Sequence, residues 1–214
     1  MLRNLRWRRL ALTVWLPLAL GGRPVERPMT ANGSAFTQVG TDLRHVASGM
    51  LFPASVDDFQ RVTPFTYDAA GKDVSVGYNA GRPIVATVYI YPAPSLESFG
   101  SPPNVVADAR VRLANAEFER RKREVTDANP GAVLVQERPV TLTQNNVSID
   151  GQEASFTFTG DLGGQMRKLR SELFVFCFLG QTWALEYRIS YPEEIDSRAE
   201  IDAFMRDLRL PFTR

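Results

Sequence analysis

Residues 173–179, LFVFCFL, are apolar at every position. Read as a strand, the run must be covered on both faces, because successive side chains point to opposite sides of a sheet. Phe174, Phe176 and Phe178 then share one face, and Leu173, Val175, Cys177 and Leu179 the other. Gly180-Gln181 reads as a two-residue type II′ turn, with glycine supplying the positive φ at the first central position. Beyond it Trp183, Leu185, Tyr187, Ile189 and Tyr191 alternate with Thr182, Ala184, Glu186, Arg188 and Ser190. That turn sets the expected register: Phe178 opposite Trp183, Cys177 opposite Ala184, Phe176 opposite Leu185, Val175 opposite Glu186 and Phe174 opposite Tyr187. A central antiparallel hairpin is the first expectation.

The remaining pattern supplies its neighbours. Strands are expected at 59–67, 74–78 and 84–91, separated by the turn-forming runs Asp68-Ala69-Ala70-Gly71 and Asn79-Ala80-Gly81. A helix is expected over 105–128, with Ala107, Val111, Ala114, Phe118 and Val125 as its apolar stripe and Asn129-Pro130-Gly131 as its stop. Its run Arg120-Arg121-Lys122-Arg123, interleaved with Glu117, Glu119 and Glu124, reads as a solvated face. Three more strands follow at 133–140, 146–149 and 152–159, with Asp150-Gly151 as a hairpin turn. A closing helix over 198–208 buries Ile201, Phe204, Met205 and Leu208.

The N-terminus has the parts of an export leader. Arg3, Arg6, Arg8 and Arg9 precede an apolar run at 10–20, and Ala19 and Gly21 fit a cut before Gly22. Removing residues 1–21 takes the formal charge from +1 to −3, since they hold four arginines and no acid. A mildly acidic body lacks the basic surface that nucleic-acid binding requires. The eleven-residue apolar run falls short of the roughly 20 residues that span a bilayer, so no integral span is expected once the leader is gone. The alternative is that translation starts at Met29. The division read from the sequence is a signal peptide at 1–21, a loosely held arm at 22–47 and one α+β domain at 48–214, in a periplasmic or secreted protein.

Three stretches, taken in order, resemble the PsbP family, whose fold is shared with the eukaryotic Ran-binding nucleotide-release proteins. They are SGMLFP at 48–53, VSIDGQEASFTF at 147–158 read as a hairpin, and FVFCFLGQTWALEYRISYP followed by AEIDAFMRDLRL. The resemblance covers about residues 48–211. It implies an α/β/α sandwich, an antiparallel sheet flanked by helices on both faces, used as a non-catalytic accessory or binding module. No residue that the family uses for its photosystem or GTPase partners is matched here, so neither partner is carried over.

The residues offer little reactive chemistry. One histidine, His45, and one cysteine, Cys177, exclude the ordinary transition-metal sites and a structural disulfide within the chain. His45 lies ahead of the expected sheet and reads as a surface residue; Cys177 reads as a small buried hydrophobe. No nucleophile elbow or phosphate loop is present. Glu186 and Arg188 project together from one face of a central strand, either as a structural ion pair or as the polar lining of a ligand groove. Tyr89, Tyr91, Tyr187 and Tyr191 fit either an interface or cross-strand packing. The expectation is a non-enzymatic, cofactor-free protein that binds another envelope protein. The alternative is a carrier of a small or lipid-like molecule in a groove between helix and sheet, and a carboxylate hydrolase is a distant third. A cavity of several hundred Å³ under the long helix separates the carrier from the binding module.

Overall fold

The computed structural model describes residues 35–96 and 101–210. The expected leader, the Met29 start and the first part of the arm lie outside the described residues. A small antiparallel sheet comes first, from β1 (Phe36–Val39), β2 (Asp42–His45) and β3 (Leu51–Phe52). The main sheet holds β4 (Ser55–Val56), β5 (Phe59–Thr66), β6 (Val74–Asn79), β7 (Val85–Pro92), β8 (Val133–Gln144), β9 (Val147–Asp161), β10 (Met166–Leu179) and β11 (Trp183–Pro192). Its order is β4-β5-β6-β7-β11-β10-β9-β8, antiparallel throughout. After β7 the chain runs as α1 (Pro103–Ala128) to the far edge. It then returns as a meander whose last strand pairs with β7. The helix α2 (Arg198–Asp207) closes the described chain.

Two cores lie on opposite faces of the central strands. Phe118 and Val125 of α1 pack on Ala154, Phe156, Leu173 and Val175. The other face carries Phe174, Phe176, Leu185, Tyr187 and Ile189, packed with Met50 and Phe52 of the small-sheet region and Ile201 and Phe204 of α2. Phe204 anchors α2 with its ring 4.4 Å from Phe59 and 5.2 Å from Tyr78. Gln144, at the end of β8, holds the other end of α2. Its amide nitrogen lies 3.0, 2.9 and 2.8 Å from the carbonyls of Met205, Arg206 and Leu208, and its oxygen accepts from Leu210 N–H at 3.0 Å. These are carbonyls that a helix end leaves unsatisfied.

The expected α/β/α sandwich, with helices flanking the sheet on both faces, is corrected by this architecture. The described chain is mostly antiparallel strand, eleven strands in two sheets against only two helices. The core opposite α1 is built from strands and the small-sheet region, with only the ten-residue α2 added to it. The short strands β1–β3 carry too little periodicity to be seen in sequence, so sequence alone does not reveal what covers that face.

Within the main sheet three expected pairs form: Phe174 with Tyr187, Val175 with Glu186, and Phe176 with Leu185. Near the turn the expectation fails. A bulge between Phe176 and Leu179 sets Leu179, in place of Phe178, opposite Trp183. Phe178 takes φ 62°, and Gly180 and Gln181 take 52° and 73°, so the turn has the two positive φ values of type I′. The bulge turns Phe178 toward α1, where the Arg110 guanidinium lies 5.7 Å from its ring. Trp183 lies on the other side, with its ring 5.7 Å from that of His45.

The turn expected at Asp150-Gly151 is also corrected. Residues 147–158 form one continuous stretch of β9, and the chain reverses at Asn145-Asn146, with φ 47° and 64°. Gly151 has a different task. It pairs with Phe176, and a Cβ there would come within 2.4 Å of the Phe176 ring and 2.6 Å of the Val175 carbonyl.

His45 is fully buried, which corrects the surface reading, and β1 and β2 lie within the stretch expected as an arm. Its Nε2 lies 2.7 Å from the Gly71 carbonyl, which can only accept, so Nε2 carries the proton. Nδ1 then accepts from the Ser48 hydroxyl at 2.8 Å, and Met50 N–H donates to the same hydroxyl oxygen at 3.2 Å. Burial lowers the His45 pKa, only partly opposed by the Gly71 hydrogen bond and by Asp68 and Asp73.

Two outcomes follow. Gly151→Ala should lower stability by about 1–3 kcal/mol, because the added methyl has only the Phe176 ring and backbone to displace; a denaturation midpoint unchanged from wild type would contradict it. For His45, the unfolded chain binds more protons than the folded one. Stability is therefore complete above the ordinary value of 6.5 and is lost as pH falls through it toward the lowered folded value. Hydrogen exchange at β1–β3 should accelerate over that range, and His45→Gln should flatten the response.

Candidate functional site

Glu186 and Arg188 leave β11 on the face that α1 covers, and both are buried, with Glu186 0% exposed. Arg188 Nε hydrogen-bonds Glu186 Oε1, so the pair expected from sequence forms. It belongs to a larger group that sequence reasoning missed. Arg121 of α1 is 1% exposed. Its Nε lies 2.7 Å from Glu117 Oε1, 3.0 Å from the Tyr91 hydroxyl and 3.2 Å from Glu186 Oε2. Its Nη1 lies 3.1 Å from both oxygens of Glu124, which also accepts from Arg188 Nη2 at 2.7 Å. Arg120 closes the rim with two bonds to Glu117, at 3.0 and 2.7 Å.

The aromatic candidates divide. Tyr91 and Tyr89 join this group, with the guanidinium carbons of Arg121 and Arg188 at 4.1 and 5.1 Å from their rings. Tyr187 belongs to the opposite core, where its hydroxyl is buried without a hydrogen-bond partner. Tyr191 is on that side too and donates to Glu172 at 2.8 Å. The six residues singled out from sequence thus lie on two faces and do not form one site.

The reading of residues 120–123 as a solvated face is corrected at Arg121 and Lys122. Lys122 is half-buried and pairs with Glu119 and with Glu137 of β8, at 2.7 and 2.6 Å. The signal was present in the helical spacing, since Glu117, Arg121 and Glu124 recur on the side that carries Phe118 and Val125.

The charges balance locally, with Glu117, Glu124 and Glu186 against Arg120, Arg121 and Arg188. Burial pushes Glu117 and Glu124 up. Hydrogen bonds from Arg120 to the first, and the charge of Arg121 with a hydrogen bond from Arg188 at the second, outweigh it and leave both below the usual range. Burial likewise lowers both buried arginines, but the charge of Glu186 chief among their partners carries them above the ordinary value. Burial pushes the nearby Cys177 thiol up to about 12, reinforced by the charge of Glu117. The thiol is protonated at neutral pH and makes a poor nucleophile. The arrangement clamps the second half of α1 to the sheet.

The first half of α1 behaves differently. Val111, expected in the buried stripe, is 61% exposed, and the buried positions of the helix begin at Glu117. Beneath lies an open groove of about 630 Å³ between α1 and the strands β9 and β10. Val111, Ala114 and Phe118 line it from the helix; Val147, Ile149, Val175, Cys177 and Phe178 line it from the sheet. Arg110 stands at the same groove with its Nε buried and without a hydrogen-bond partner. Asn115 and Gln152 bridge helix and sheet across it.

Arg121→Met should cost about 3–5 kcal/mol, because it leaves buried Glu186 with Arg188 alone and takes a buried partner from Glu117 and Glu124 as well. Adding Glu186→Gln should recover part of that loss. A double-mutant cycle in urea measures the coupling, and strict additivity would contradict a shared network.

Among the described residues no group of histidine, cysteine, aspartate and glutamate is arranged to hold a metal ion, and no helix is long and apolar enough to cross a membrane. No protein-family model matches the chain, and no curated protein matches it significantly.

Proposed function

We propose that the protein is an extracytoplasmic carrier of a single-chain amphiphile, held in the groove between α1 and the sheet. The observation that carries this reading is the bulge at Phe178. A bulky residue with φ near 60° is sterically costly and persists where the surroundings enforce it, often beside a functional site. Here the bulge takes a phenyl ring out of the core and sets it in the groove wall. The groove volume lies in the range of small-molecule sites, roughly 300–1,000 Å³. Half of its lining residues are aliphatic or aromatic, which suits an acyl chain, and Asn115, Ser148, Asp150 and Gln152 form its polar part. Arg110 makes no ion pair with the described residues and offers a partner for an acidic head group. Export rests on the leader-like residues 1–21.

A second reading, a docking site for another envelope protein, has its own observation. β8 is the terminal strand of the sheet and exposes Val133, Leu134 and Val135 in succession. Glu137, Arg138 and Pro139 interrupt the same edge and confine any strand addition to its first few residues.

Titration with a dansyl-labelled medium-chain fatty acid tests the carrier. Saturable one-to-one binding is expected, abolished by Ala114→Trp, which fills the groove. Arg110→Gln should weaken the acid about tenfold, or about 1.4 kcal/mol, and leave the matching alcohol unchanged. Absence of saturable binding, or binding indifferent to Ala114→Trp in a folded variant, would refute the carrier. Loss of a co-purifying envelope protein on Leu134→Glu would favour the second reading.

A further inference from the structure

On the opposite face from the groove, Glu172 of β10 is 6% exposed. Its Oε1 accepts from the Tyr191 hydroxyl at 2.8 Å, while Oε2 is buried without a hydrogen-bond partner. Ser155, paired with Glu172 across β9 and β10, is equally buried, and its hydroxyl makes no hydrogen bond of good geometry. The nearest cation, the Arg170 guanidinium, stands 3.7 Å from Oε1, half in solvent, with its own Nε unbonded. A buried carboxylate normally has its charge paired and its lone pairs filled. Glu172 has neither in full. Burial pushes its carboxyl above the usual range, with Tyr191 and Ser155 offsetting only part of this, Glu153 adding to it and Arg170 opposing it.

These atoms line a pocket of about 450 Å³. Its other arginines are already committed. Arg138 grips Glu153 through three contacts of 2.9–3.2 Å, and Arg198 bonds the same carboxylate at 2.8 Å and Asp202 at 3.0 Å. At the rim Glu193 and Glu194 are exposed and make no ion pair with the described residues. Five acids, Glu153, Glu172, Glu193, Glu194 and Asp196, thus face three arginines, and of the two buried ones Glu172 is the less compensated.

We infer that this pocket binds a small organic diamine, with one ammonium on Glu172 Oε2 and Ser155 Oγ and the second between Glu193 and Glu194. An ammonium supplies the three donors and the countercharge that the orphan oxygens lack. A second ammonium distinguishes a diamine from a monoamine, because only it reaches the rim acids. The inference is independent of the groove, which lies across the sheet.

Calorimetric titration of the whole protein with diaminobutane, butylamine and magnesium chloride tests it. One-to-one binding of diaminobutane is expected, about tenfold tighter than butylamine. The exposed pair Glu193→Gln and Glu194→Gln, which leaves the core untouched, should erase that difference. Glu172→Gln, checked for folding by circular dichroism, should weaken both amines at least tenfold. No binding to the wild-type protein, equal affinity for the two amines, or displacement of the diamine by stoichiometric magnesium would overturn the proposal. So would unchanged affinity in folded Glu172→Gln.

Discussion

The guanidinium of Arg121 is the point on which the covering of the sheet depends. A charge buried so deeply is tolerated only where partners surround it, and here they come from two elements distant in sequence: Glu117 and Glu124 on its own helix, and Glu186 and Tyr91 on the strands below. Apolar packing alone tolerates sliding. The forked geometry of an arginine shared among three carboxylates fixes the rotation and depth of α1 in a way that Phe118 and Val125 do not. The clamp also ends abruptly. Among the described residues no equivalent ion pairs occur toward the helix N-terminus, which leaves the stretch from Arg110 to Asn115 standing over the groove.

Much of the central sheet was legible in the sequence because the alternation there is strong. The arms of the hairpin, the positions of β5–β7 and both helices follow from period two or from the helical repeat. What escaped has physical causes. Two turn-competent dipeptides lie close together, Asn145-Asn146 and Asp150-Gly151. The choice between them depends on a long-range contact, the approach of the Phe176 ring to Gly151. The bulge at Phe178 depends in the same way on a turn geometry that local pattern does not specify. The strands β1–β3 are two to four residues long, too short to show periodicity, so the burial of His45 could not be read.

The candidate site was legible only in part. Glu186 and Arg188 were found because two charged residues share a face of an otherwise apolar strand. Their partners on α1 sat in a run of charge that resembles an ordinary wet helix surface, although their spacing matched its apolar stripe. Glu172 was missed for another reason. It stands just before the apolar run of β10, where a charged residue looks like the strand's fraying end. The sheet continues well past it, to Met166. The two sides of the sheet consequently differ in character: paired charge and an apolar groove under α1, and unpaired polar atoms in a pocket beside α2.

The crossing of α1 also shapes the order in which the chain can assemble. Strands β8–β11 form a meander in which each neighbour is local in sequence, so they can pair early and cheaply. β7 must wait, because its partner β11 is the last strand made. Until then an apolar strand with Val88 and Ile90 presents a bare row of backbone donors and acceptors, the surface on which folding chains aggregate. On a ribosome this interval lasts for the synthesis of everything from the helix to the end of the meander. A helix as heavily charged as α1, the next element after β7, would oppose that aggregation through its charge.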